Sequence, residues 1–228
     1  KIMGRIGQSS KPFTICFIGA SDLELPTNAT VARTLKDAAQ TALGGGAFAE
    51  SKVSGTSLPK DRAGIRGLYS GGTLAAETQL ILIDAGLDVA SNAPIPGAGS
   101  LSDASETHKI IDLGDDEYTQ GRPHPMIDPE IRREPLAEAL ADSTIGVVLI
   151  DIVIGYGAHP DPAGKLAEML STMQSTDFPT IIASVTGTEQ DPQVRSSQIK
   201  SLQTAGILVA GSNADAAIFA LNLLGINS

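Results

Sequence analysis

The chain contains no tryptophan, and only 4 % of its 228 residues are aromatic. A core without large rings must be built from Val, Ile, Leu and Ala, as in a sheet covered by helices on both faces. There is one cysteine, Cys16. It excludes an intrachain disulfide, and with it a disulfide-stapled secreted scaffold, so a reducing, cytoplasmic setting is expected. Cys16 lies in the apolar run Phe13-Ile18 and reads as a small buried hydrophobe. Basic residues are scarce: 16 Lys and Arg stand against 26 Asp and Glu, for a net charge of -10. No basic cluster is denser than Arg132-Arg133, which argues against a nucleic-acid partner, since phosphate neutralisation needs clustered cations. No apolar run reaches the roughly 18 residues needed to cross a bilayer, and the N-terminus lacks the apolar core of a signal peptide. No membrane partner is expected. Position 1 is Lys rather than an initiator Met, and Lys1-Ser10 reads as a mid-protein segment, so the expectation is a fragment of a longer polypeptide.

What the chain does contain is short apolar runs alternating with helical patterns. Phe13-Ile18 reads as a buried strand, and Thr30-Leu43 as a helix capped by Thr27 or Asn28 and stopped by Gly44-Gly46. Ala47-Arg62 is polar and aperiodic, a linker or exposed loop. From Gly64 the predicted strands are Ile65-Tyr69, Lys109-Leu113, Gly146-Ile154, Thr180-Val185 and Ile207-Ala210. The third is almost continuously apolar, broken only by Asp151. The predicted helices between and after them are Leu74-Ala85, Pro129-Ala141, Pro162-Met173, Pro192-Ala205 and Ser212-Leu224. Leu87-Thr107, rich in Ser, Pro, Gly and Ala, reads as a long loop wandering over the surface. Alternation of this kind predicts an α/β fold with a parallel open sheet and right-handed crossovers.

In open parallel sheets ligands bind outside the carboxyl ends of the strands, near the point where strand order reverses. Four strand-to-helix loops therefore matter. Ser70-Gly71-Gly72-Thr73 follows the first strand. Its glycines are expected to let the chain turn sharply and aim the N–H groups of the next helix at an anion, with the Ser70 and Thr73 hydroxyls as further donors. The Lys and the spacing of a P-loop are missing. The loop Gly114-Pro129 gathers Asp115, Asp116, Arg122 and His124, and prolines on both sides stiffen His124. A second His-Pro pair, His159-Pro160, follows Gly155 and Gly157 and precedes Asp161. Imidazoles there can serve as base, acid or anion partner near neutral pH. Thr186 and Gly187, in the loop before Pro192, are expected to line the same cleft. No spacing resembles a metal-ligand pattern, and no Gly-x-Ser-x-Gly elbow is present. No metal is expected.

The strings Gly64-Ile-Arg-Gly-Leu-Tyr-Ser-Gly-Gly-Thr-Leu-Ala-Ala-Glu77, Ile111-Asp-Leu-Gly-Asp-Asp-Glu-Tyr118, Gly121-Arg-Pro-His-Pro-Met-Ile-Asp-Pro129 and Gly155-Tyr-Gly-Ala-His-Pro-Asp161 closely resemble the FdrA family. FdrA proteins are similar to acyl-CoA synthetases of the succinyl-CoA synthetase superfamily. The resemblance runs over nearly the whole chain from Lys11. It implies a flavodoxin-like domain over 63–228, like the C-terminal domain of a succinyl-CoA synthetase β subunit. It implies that 1–62 is a strand-helix remnant of a preceding ligase-CoA-like domain plus a linker. It also implies that the helix after Ser70-Gly71-Gly72-Thr73 points its N-terminus at a phosphate carried between subunits. One departure stands out. In the superfamily's α subunits a histidine becomes phosphorylated, and the matching stretch here, Gly19-Asn28, has none. A phosphohistidine shuttle of that kind is expected to be lost.

The resemblance further links such proteins to an oxamate carbamoyltransferase assembly in allantoin (purine) breakdown. The leading expectation is thus an enzyme subunit transferring an acyl or carbamoyl group. Gly71, Gly72 and Thr73 would hold the phosphate of an acyl or carbamoyl phosphate. His124 and Arg122, with Asp115, Asp116 and His159 nearby, would stabilise charge or move a proton. An NDP-forming acyl-CoA synthetase and a non-catalytic scaffold subunit stay open beside it. No covalently bound cofactor is expected. CoA or a nucleotide would arrive through partner domains, either other subunits or an N-terminal CoA-binding domain absent from this chain. Self-association into a homo-oligomer is also an open expectation.

Overall fold

The computed structural model describes residues 1–20, 22–45, 58, 61–102, 107–173 and 178–226. Most of the stretch read as linker, Ala47-Arg62, lies outside them. The chain divides into two compact units, Lys1–Glu50 and Ser51–Ser228.

The smaller unit holds α1 (Ile2–Gly7), β1 (Phe13–Ile15), β2 (Ala29–Val31) and α2 (Leu35–Ala42). β1 and β2 pair in parallel, with Phe13 opposite Ala29. The helix expected over Thr30-Leu43 is therefore shorter, because Thr30 and Val31, both β-branched, are strand residues. Nor does Asn28 cap it. Its side-chain amide donates to the carbonyls of Ile6, Ser9 and Lys11 at 2.9, 2.9 and 3.0 Å. The true cap is Thr34, in a reciprocal capping box with Asp37. Cys16 follows β1 and is only half-buried, its Sγ 3.8 Å from the Arg33 carbonyl oxygen.

The larger unit runs β3 (Gly64–Tyr69), α3 (Gly72–Asp84), β4 (Val89–Ser91), β5 (Gly99–Ser100), β6 (His108–Asp112), α4 (Asp116–Thr119), a 3₁₀ turn (Pro129–Arg132), α5 (Arg133–Ala141), β7 (Ile145–Val153), α6 (Pro162–Thr172), β8 (Thr180–Thr186), α7 (Arg195–Thr204), β9 (Leu208–Ala210) and α8 (Asn213–Leu223). Its strands form one seven-stranded sheet in the order β5-β4-β6-β3-β7-β8-β9, and every pairing is parallel. Taken as strands one to five, β3, β6, β7, β8 and β9 stand in the flavodoxin order 2-1-3-4-5. The chain moves to one side of β3 and then crosses to β7 on the other. The switch point lies between the carboxyl ends of β3 and β7.

The periodicity of β7 shows how both faces are covered. Val147 and Leu149 pack with Ala75 and Leu82 of α3 and Ala217 and Leu221 of α8. Val148, Ile150 and Ile152 pack with Leu136 of α5, Leu166 of α6 and Leu202 of α7. All five β7 residues are at most 1 % exposed, so neither face tolerates a polar alternation.

Over its described residues, 87–102 and 107, the Leu87-Thr107 stretch is not the wandering loop expected of it. Val89, Ala90 and Ser91 are buried and extend the sheet beside β6. The following segment is pinned: Asn92 exchanges bonds with the Asp112 backbone at 2.9 Å each way, and Gln79 bonds Ala93 and Ile95. A three-residue strand is too short to show a period. Pro192-Ala205 likewise starts its helix three residues late, at Arg195. Among the described residues no helix is long and apolar enough to cross a membrane.

Candidate functional site

β3 is buried at every position but Arg66, and its carboxyl end leads into the next helix. There α3 starts at Gly72 with Gly71 as its N-cap, and no side chain caps it. Its first turn carries no acidic residue. The N–H groups of Gly72, Thr73 and Leu74 donate to no acceptor among the described residues. Unpaired N–H groups and the positive helix end together favour an anion. The glycines contribute differently from the expectation of a sharp turn. Gly71 has φ -171°, extended backbone open to any residue. What matters is space: a Cβ on Gly71 would meet nothing within 4 Å. The mouth of α3 is bare backbone facing open volume.

Ser70 does not present its hydroxyl to that mouth. It is 3 % exposed and turns inward, its N–H and Oγ donating to Asp151 Oδ1 at 2.8 and 3.0 Å. Arg132, from the 3₁₀ turn, donates to both Asp151 Oδ1 and Ser70 Oγ. Arg132 and Asp151 are 2 % and 1 % exposed. Burial pushes the carboxyl up and the guanidinium down, and their mutual attraction opposes both shifts. This ion pair sits at the β3/β7 switch point and fixes the residue that leads into α3. It had no assigned role in the sequence, although Asp151 interrupts an otherwise apolar strand.

The loop Gly114-Pro129 sorts its polar residues into separate tasks. Asp115 caps α4, accepting from the Glu117 N–H at 3.1 Å. Asp116 and Arg122 are exposed. His124 is half-buried, and its Nδ1 accepts from the Met126 N–H at 3.3 Å. His159 does the same with the Asp161 N–H at 3.0 Å. In each case the intervening proline has no N–H, so the ring reaches two residues on. A neutral ring held this way keeps its proton on Nε2. The two loops adjoin, since the His159 N–H donates to the Met126 carbonyl at 2.7 Å.

The rest of the predicted cleft is largely occupied with itself. Asp161 caps α6, its Oδ1 accepting from Gly164 N–H and Gln198 Nε2 at 3.0 Å each. Gln193 bridges both polar atoms of the Gly155 backbone and the His159 carbonyl. Gly155 and Gly157 both have positive φ, and Thr186, at the end of β8, is exposed. Gly187, at φ +147°, must be glycine. Any Cβ there would run into Ile154 and come within 3.0 Å of Asp191 Oδ2.

Asp112, the last residue of β6, had no assigned role in the sequence. It is 7 % exposed. Its Oδ1 accepts from the Gly114 N–H at 2.8 Å. Its Oδ2 lies along the first turn of α3, 3.1 Å from where a Cβ on Gly72 would stand. On the other side of Gly114 lies His124: a Cβ on Gly114 would be 2.7 Å from His124 Nε2 and 3.1 Å from Asp112 Oδ1. Burial raises the Asp112 carboxyl above its ordinary range. The Asp115 and Asp151 charges add to this, against the Gly114 N–H and His124. The readable signal was an acid closing an apolar strand. The structure thus brings together the α3 mouth, Asp112 and His124, and places Asp115, Asp161 and Ser70 in structural bonds. Among the described residues no group of three or more His, Cys, Asp or Glu is arranged to hold a metal ion.

The YahF protein of Escherichia coli K12 is 35 % identical over 164 residues, covering 68 % of this chain and 32 % of YahF. The crystal structure of PH0766 from Pyrococcus horikoshii OT3 aligns with a TM-score of 0.48 and 15 % identity, over 86 % of this chain and 40 % of that one. The chain therefore spans well under half the length of either. The CoA-ligase family model matches residues 68–223, which contain the α3 mouth, Asp112, both His-Pro loops and all of β7–β9. The chain belongs to the CoA-ligase family.

Proposed function

We propose that the larger unit is the phosphate-handling part of an acid–thiol ligase of the acyl-CoA synthetase type, working with further domains or subunits. One observation carries this reading: an uncapped helix N-terminus with unpaired N–H groups at the topological switch point. The phosphate of an acyl phosphate would lie on the Gly72 and Thr73 N–H groups. His124 would stand beside it with Nε2 available, and exposed Arg122 on the same loop would offset charge as the acyl group leaves. CoA or a nucleotide would reach the site on partner domains. No role is required of a phosphohistidine, which the chain's 3 histidines do not offer in the matching stretch.

Carbamoyl transfer asks the same of the α3 mouth, because carbamoyl phosphate offers the same phosphate. Two assays on the purified chain separate the alternatives. One supplies a carboxylic acid, CoA and ATP; the other supplies oxamate and carbamoyl phosphate. Thioester formation in the first is the expected outcome, alone or on adding partner domains or subunits. Product only in the second would replace the ligase with the transferase. Silence in both, with partners present, would leave a non-catalytic scaffold.

A further inference from the structure

We propose that Asp112 makes the α3 mouth selective for a phosphoryl ligand that carries a proton, and that it excludes fully ionised oxyanions such as sulfate. This rests on the reading of that mouth as a phosphate site, and adds a specificity-determining residue to it.

The geometry is fixed rather than adaptable. The Asp112 backbone is tied in both directions to the Asn92 side chain at 2.9 Å. Oδ1 is held by the Gly114 N–H at 2.8 Å, and only 7 % of the residue is exposed. The carboxyl is therefore tethered both through its backbone and through Oδ1. Oδ2 accepts from no donor among the described residues. It lies 3.1 Å from where a Cβ on Gly72 would stand, in the turn whose N–H groups are also unpaired. The mouth thus offers donors from the helix and one acceptor from the strand beside it. A ligand that satisfies both must present acceptors and a donor together.

The surrounding charges do not relieve this demand. From the Gly114-Pro129 loop, Asp115 and His124 face Asp112; from β7, Asp151 does, with its own charge offset by Arg132. β3 contributes Ser70, already bound to Asp151, and the first turn of α3 contributes no charged side chain of its own. An oxyanion on the Gly72 and Thr73 N–H groups would set an oxygen against Oδ2. Two fully ionised oxygens repel at that distance, whereas a shared proton makes the contact a short charge-assisted bond. Inorganic phosphate retains a proton in both forms present near neutral pH. A phosphate monoester retains one only below a second pKa of about 6, and above it stands as sulfate does. Sulfate has none to share. The step is a proton held between Asp112 Oδ2 and a phosphoryl oxygen; no bond to phosphorus forms or breaks.

Calorimetric titration of the chain with inorganic phosphate, sulfate and methyl phosphate tests this. Phosphate should bind at least about tenfold more tightly than sulfate. Methyl phosphate affinity should fall by about tenfold per pH unit once both ligand and carboxyl have lost their protons. Asp112→Asn, close in shape and uncharged, should bind sulfate as well as phosphate and flatten the methyl phosphate profile. A thermal melt establishes that it is folded, and the wild-type selectivity and pH profile stand without it. Equal binding of phosphate and sulfate by the wild type, with a flat methyl phosphate profile, would overturn the role of Asp112 and leave the phosphate site. So would a folded Asp112→Asn protein with unchanged selectivity. Failure of the wild type to bind phosphate or methyl phosphate at all would remove the phosphate site, and this proposal with it.

Discussion

Replacing Arg132 with Met should expose what the buried ion pair does. Met keeps the apolar stem and removes the guanidinium, so the change isolates charge and hydrogen bonding from packing. Asp151 would keep only the two donors of Ser70, at 1 % exposure and with no counter-charge. Breaking one side of a buried pair costs about 3–5 kcal/mol, since the remaining charge stays in low dielectric. The pair itself is not expected to be a large net stabiliser, because burial disfavours the charged form of both members. The double variant Arg132→Met/Asp151→Asn, which leaves no buried charge and keeps an acceptor for the Ser70 N–H, should therefore recover most of the loss.

Urea unfolding followed by tyrosine fluorescence is the appropriate assay. The chain has 3 Tyr and no Trp, and Tyr69, Tyr118 and Tyr156 all lie in the larger unit. The midpoint of Arg132→Met should fall by about 1–2 M at neutral pH. The sign with pH is also fixed. In the variant the folded-state pKa of Asp151 is raised above the unfolded value of about 4, so the folded form takes up a proton first. Stability is lost as pH rises through the interval between the two values, and it returns by at most about 1.4 kcal/mol per unit as pH falls back through it. A single variant within about 0.5 kcal/mol of the parent, or a double variant no more stable than the single, would refute the reasoning.

Gly72→Val should weaken phosphate-ester binding by more than the roughly 0.3–1 kcal/mol of an exposed helix-dipole contact, because its Cβ would stand 3.1 Å from Asp112 Oδ2. Binding titration alongside Gly71→Ala, whose methyl meets no protein atom within 4 Å, separates blocking of the mouth from disturbance of the fold. In whichever assay shows turnover, His124→Gln should reduce kcat by about 10²-fold or more, on the scale of general acid–base catalysis. His159→Gln, at a ring already committed to its own loop, should leave kcat within a few-fold. Equal losses in the two histidine variants would assign them a common role.

The strand most legible in the sequence is β7, whose two faces are both buried. It announces itself by an apolar run broken only by Gly146 and Asp151, because helices cover the sheet on each side. β2, β4 and β5 were not legible. Each has only two or three residues, and none stands in an apolar run long enough to mark it; they exist because a neighbouring strand offers its edge. The start of α2 was legible but misread: Thr34 and Asp37 have the capping-box spacing, and their reciprocal bonds are there. At the site, Gly71-Gly72 marked the helix mouth, since small residues before a helix are a local feature. Asp112 and Asp151 were visible as acids in apolar strands. What could not be read was their surroundings: Asp151 meets Arg132 from a separate 3₁₀ turn and Ser70 from the loop after β3, contacts that only the folded topology supplies.

The two histidines show why residue type alone overstates a site. Each precedes a proline, and each turns Nδ1 back to the N–H two residues on, at 3.3 Å for His124 and 3.0 Å for His159. That bond is a local consequence of proline lacking an N–H, so a His-Pro pair after a strand has a structural use before any chemistry is asked of it. The chemistry depends on what the other nitrogen meets. His124 Nε2 lies beside Gly114, where no side chain intervenes and the Asp112 carboxyl stands on the far side. The charge of His124 is felt by that carboxyl. The His159 segment is instead stitched into loop structure through Met126, Gln193 and Asp161. A side chain on Gly114 would separate His124 from Asp112 and collide with the Ser70 carbonyl. The absence of a side chain at that position is therefore what leaves His124 Nε2 and the Asp112 carboxyl on either side of Gly114 with no side chain of Gly114 between them.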